Sequence, residues 1–107
     1  AGYAPRMHLT PSEYFARQVS IGSSFIRPDE ARIRHAVGLE KIMWGSDYPH
    51  KEGSNPFTLE ALRASFAGID HDEVQAMLGL NAARVYGFDL NELDAVAAEL
   101  PLETCQI

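Results

Sequence analysis

Apolar positions change their spacing several times along this chain, and each change marks an element. Thr10-Pro11-Ser12-Glu13 sets a hydroxyl residue at a helix N-cap, a proline at the first helical position and a glutamate at the third, which predicts a short helix from Pro11 to Arg17. Val19 to Ile26 alternates in part and is rich in β-branched and small residues, so it reads as a strand that turns irregular toward its polar end. Pro28-Asp29-Glu30 opens a second helix with an acidic first turn, carrying Ile33 and Val37 on one face and stopped by Gly38. Lys41-Ile42-Met43-Trp44-Gly45 is a short apolar run of the kind buried on both faces of a parallel sheet. Together these segments predict a right-handed strand–helix–strand unit with its strands parallel.

Helices dominate the rest. Asn55-Pro56 or Thr58 caps a third, with Leu59, Leu62 and Phe66 at helical spacing and Gly68 at its end. Asp70-His71-Asp72-Glu73 has the form of a capping box before Val74, Met77 and Leu78. Asn81 begins a further short helix closed by Gly87, and Asp89-Leu90-Asn91-Glu92 opens the last, with Leu93, Val96 and Leu100 on a stripe and Pro101 beyond. No internal repeat, low-complexity tract or linker divides residues 1–107, which read as one partial domain. Two predicted strands followed only by helices make an unbalanced set, because a parallel sheet needs more strands and cover on both faces. The expectation is that further strands come from a preceding region, or that another copy of the chain covers the exposed faces.

Composition narrows the function. Fifteen acidic against nine basic residues give a formal charge of −6, with no basic block, which argues against nucleic acid or an anionic membrane surface as partner. Cys105 is the one cysteine, so no intrachain disulfide or cysteine zinc site can be written, and a reducing, cytoplasmic setting fits. No apolar run approaches the roughly 18 residues of a membrane span. Trp44, Phe25, Tyr14 and Phe66 are scattered and flanked by apolar residues, and they read as core.

The chemistry concentrates in Gly45-Ser46-Asp47-Tyr48-Pro49-His50. Asp47 follows the buried strand at its C-terminal end, where loops of α/β sheets and barrels carry catalytic groups. Gly45 and Ser46 leave room for a ligand near the backbone, and Pro49 stiffens the loop. A carboxylate held there suits a metal ligand or a general base; equally, an aspartate before a proline can cap a turn through its own backbone. Ser46 lacks the Gly-x-Ser-x-Gly elbow of a nucleophile.

The string from Lys41 to His50, with Glu52-Gly53 after it, resembles the final barrel strand and loop of the amidohydrolase-2 (amidohydrolase-related) family, which includes metal-dependent hydrolases and decarboxylases related to aminocarboxymuconate-semialdehyde decarboxylase. Pro11-Ser12-Glu13-Tyr14-Phe15 and Asn81-Ala82-Ala83-Arg84-Val85-Tyr86 are similar to family segments at the same relative places. The resemblance implies an α/β fold, the C-terminal portion of a (β/α)₈ barrel with about two parallel strands and four to six helices. It further implies that Asp47 binds the catalytic divalent metal, zinc or manganese, or handles the proton of its bound water. His50 and Glu52 are substrate-side or supporting candidates, a solvated loop carboxylate being the plainer reading of Glu52. The chain departs from the family in having no His-x-His pair, and His8, His35 and His71 read as surface residues. Asp47 and His50 give at most two ligands where a catalytic zinc wants about three.

Two functions follow as expectations. One is the C-terminal part of a metal-dependent hydrolase or decarboxylase (a lyase) acting on a small carboxylate-bearing or cyclic substrate, inactive as the isolated chain. The other is a non-catalytic remnant that self-associates as a homo-oligomer to bury its apolar faces.

Overall fold

A computed structural model of the chain describes residues 7–99. Helix α1 (Pro11–Gln18) starts as its sequence predicts: the Glu13 N–H donates to Thr10 Oγ1 at 3.3 Å and the Thr10 N–H donates to Glu13 Oε2 at 2.7 Å, a reciprocal pair that satisfies two of the helix's orphan donors. Strand β1 (Ile21–Ser24) is shorter than the predicted span of Val19 to Ile26. It pairs in parallel with β2 (Ile42–Gly45), with Ile21 opposite Ile42 and Ser24 opposite Gly45. These two strands make the described sheet.

The crossover between them is less regular than the sequence predicts. In place of one helix up to Gly38, α2 (Pro28–Arg32) ends at Ile33 and a separate α3 (Arg34–Val37) follows. The Ile33 N–H donates three residues back, to the Glu30 carbonyl at 3.1 Å, tightening the turn. Arg34 Nη1 then donates to the Ala31 carbonyl at 3.2 Å, while its Nε donates to Glu73 Oε2 at 2.8 Å on a distant helix. A guanidinium held at both places fixes the break, and Ile33, expected on the buried face, is left 56% exposed. A 3₁₀ turn (Leu39–Lys41) leads into β2.

Helix α4 (Thr58–Phe66) begins with Thr58 inside it rather than as its cap; Phe57 holds that position without a side-chain bond. Helix α5 (His71–Gln75) likewise lacks a side-chain bond from Asp70, and the expected capping box is not made. Its glutamate is engaged elsewhere: Glu73 Oε1 meets His35 Nε2 at 2.9 Å while Oε2 accepts from Arg34. From α5 the chain runs without interruption through a π-turn (Ala76–Leu80) into α6 (Asn81–Tyr86), so Asn81 continues a helix instead of opening one. The Asn81 N–H donates five residues back, to the Ala76 carbonyl. Gly87, at φ 71°, ends α6, and the rings of Tyr86 and Phe88 stack beyond it with centroids 5.8 Å apart.

The core is formed by Ile26, Ala31, Ile42, Phe66, Val74 and Met77, with Trp44 and Leu62 packed against it. Ile42 and Trp44 therefore point from β2 into the helices, as the short apolar run requires. Helix α7 (Leu90–Glu99) opens as predicted, Asp89 Oδ1 accepting from the Asn91 N–H at 2.8 Å, but its stripe is not buried: Leu93 and Val96 are exposed. Leu100, Pro101 and Cys105 lie outside the described residues.

Candidate active site

Two described non-glycine residues have positive φ, Phe25 at 41° and Asp47 at 56°. They lie just past the C-terminal ends of the two paired strands, β1 ending at Ser24 and β2 at Gly45. A left-handed conformation costs an L-residue about 1–2 kcal/mol, least for aspartate, whose short side chain bonds locally. Such strain concentrates at functional sites, where the surrounding structure holds it in place.

At Asp47 the surrounding structure is a loop closed on itself. The Ser54 N–H donates to the Ser46 carbonyl at 3.0 Å, returning the chain to the point where it left β2. Inside that closure the His50 N–H donates to the Asp47 carbonyl at 2.8 Å and the Gly53 N–H donates to the His50 carbonyl at 3.0 Å. The Tyr48 N–H is 3.3 Å from Ser46 Oγ, and the hydroxyls of Ser54 and Thr58 are 3.0 Å apart, joining the loop's return to the start of α4. Tyr48-Pro49 and Asn55-Pro56 are cis peptides.

The backbone of Asp47, not its carboxylate, makes the turn. The side chain is thereby free to face His50: Oδ1 lies 3.3 Å from Nδ1, with the carboxylate 30% and the imidazole 75% exposed. This is a half-sheltered carboxylate beside an accessible imidazole, an arrangement able to accept a proton and pass it on. Glu52 is exposed and has no side-chain partner among the described residues. It does not join Asp47 and His50.

The other histidines lie apart. His8 and His71 are exposed, and His35 is engaged with Glu73. Among the described residues no three His, Cys, Asp or Glu side chains gather where a metal ion could be held. Asp47 and His50 supply two donors, so the described residues do not complete a metal centre by themselves.

Residue patterns pointed to Asp47 and His50 but missed what holds them. Gly53 packs against three backbone carbonyls of the loop, and Ser54 closes it, yet neither belongs to a periodic segment. Phe25, read as core, is 39% exposed, while Ile26 is 3% exposed. The left-handed turn at Phe25 interrupts the strand's alternation, so the next residue fills the core instead. Asn81 is buried and its Nδ2 donates to the carbonyls of Leu39, at 2.9 Å, and Ile42, at 2.8 Å, anchoring the helix beneath β2. Arg84 Nη2 adds a bond to the Glu40 carbonyl.

The left-handed turn at Asp47, the closed loop around it and the ends of the two parallel strands thus lie together at one end of the sheet. The amidohydrolase family model matches residues 4–88, and the chain belongs to that family. Its members are generally metal-dependent. No curated protein and no solved structure gives a match. No helix among the described residues is long and apolar enough to cross a membrane.

Proposed function

We propose that the chain is the C-terminal part of a (β/α)₈ amidohydrolase, of the kind related to aminocarboxymuconate-semialdehyde decarboxylase, acting by hydrolysis or decarboxylation on a small carboxylate-bearing or cyclic substrate. One observation carries this reading: a carboxylate stands at the C-terminal end of a buried parallel strand, in a conformation that a closed loop holds, with an imidazole nitrogen 3.3 Å away. That strand end is where barrels carry out chemistry. Asp47 takes a proton from water or substrate and returns it to the leaving group or product carbon, and His50 orients the carboxylate and shares the proton. A divalent metal, zinc or manganese, would supply charge stabilisation in the complete enzyme, with donors beyond these two contributed from outside the described residues. The chain alone is then inactive.

The test is a titration of zinc chloride into the chain, followed by amide NMR. The expected result is weak binding that shifts the amides of Asp47 to His50 and disappears in D47A. Shifts centred on His8, His35 or His71, or none at all, would overturn the assignment of Asp47.

A second reading has its own support. The described sheet has two strands, and α7 buries none of its residues, so a self-associating, non-catalytic module would have surface to cover. Sedimentation at low micromolar concentration separates the two, because a stable monomer excludes self-association.

A further inference from the structure

The two strained residues at the strand ends pose one question twice, and Asp47 answers it only once. Phe25 lacks the local side-chain hydrogen bonding that makes a left-handed aspartate tolerable. It also gives up burial, since continued alternation would turn its ring with Ile21 and Ser23 toward the helices and leave the smaller Ile26 outside. Instead Ile26 is in the core, and the larger ring of Phe25 is 39% exposed at the same end of the sheet as Asp47. Its N–H donates to the Gly45 carbonyl at 3.3 Å, extending the ladder by one residue and placing Phe25 beside the segment that leads into Asp47. Tyr48, next to Asp47, is 71% exposed, so a second aromatic ring stands at that end.

We infer that Phe25 is a specificity-determining residue, its ring forming an apolar wall of the substrate site next to Asp47 and favouring substrates with a ring over open-chain ones. The inference rests on the reading of Asp47 proposed above and adds to it the residue that selects what reaches that carboxylate. Aromatic side chains bind ring faces and edges in offset or edge-on contact, a gain that an open-chain ligand does not share.

The experiment is an amide NMR titration of the full chain with benzamide, with acetamide as the open-chain control and F25A, F25G and F25Y as variants. Benzamide is expected to shift the amides of residues 24–26 and 46–48, and acetamide to do so far more weakly. F25A and F25G should each weaken benzamide binding about three- to tenfold, the span that one lost aromatic contact represents, whereas F25Y should retain it. F25G accepts positive φ without strain, so a loss of binding in a variant at least as stable as the parent assigns the effect to the ring and not to folding. Benzamide binding elsewhere, equal shifts from acetamide, or full binding by F25G would overturn the inference. Zinc binding lost in D47A tests Asp47 separately, so either reading can fail without the other.

Discussion

Gly53 lies so close to Ser46 that a Cβ at position 53 would stand 2.7 Å from the Ser46 carbonyl oxygen. The same atom would meet the carbonyls of Asp47 and His50 at 3.0 Å, and all three are backbone atoms that cannot swing aside. The space that only hydrogen fills is what lets the loop close and hold Asp47 in its left-handed conformation. G53A is therefore expected to open the loop, at a cost of about 1–3 kcal/mol, the usual range for overpacking. Chemical denaturation measures the cost. Amide shifts confined to residues 46–54 would locate it, and unchanged shifts there would show that the loop tolerates the methyl.

Asn81 should matter more to stability than any surface ion pair. Its amide donates to two carbonyls, at 2.9 and 2.8 Å; N81A removes this donor from the buried Ile42 carbonyl while the Leu39 carbonyl keeps the Ile42 N–H, an expected loss of roughly 1–3 kcal/mol in urea unfolding. N81D should be worse at neutral pH, since it points a carboxylate at two carbonyl oxygens, and should recover in part in acid as the carboxyl regains a proton to donate. An N81D protein as stable as the parent at pH 7 would contradict this geometry.

The start of α1 should respond to acid. Hydrogen bonds from the Thr10 hydroxyl and N–H hold the Glu13 carboxyl below its ordinary value. Protonation thus favours the frayed helix. The cap's contribution is fully present above the ordinary glutamate pKa of about 4.3 and is lost as pH falls through the lower folded value. Amide exchange at residues 11–14 should accelerate across that window in the parent and show no such step in E13Q.

Much of the architecture is legible in residue patterns, and the exceptions share a cause. Thr10 and Glu13, Asp89, and Gly87 act through partners within a few residues, so their roles follow from local spacing. The apolar run of β2 and the helical spacing of Leu62 and Phe66 identify the core in the same way. Long-range partners overrule local rules elsewhere. Glu73 reads as a capping residue until Arg34 and His35 draw its carboxylate away, and the break at Ile33 depends on that same distant contact. Asn81 reads as the start of a helix because asparagine favours such starts, but two carbonyls of the β2 segment claim its side chain. At the site, Asp47 and His50 stand out by their place after a strand, whereas the exposure of Phe25 depends on one backbone torsion that no periodicity encodes.

The bond from the Ser54 N–H to the Ser46 carbonyl makes the site loop begin and end at one point. Residues 47–53 are thus a self-contained ring hung on the sheet, whose content β2 and α4 need not register. An exchange of that ring for another closing the same gap leaves the scaffold where it is. Side chains inside the ring can therefore change while the chain on either side keeps its course, because the closing bond is made by backbone atoms alone.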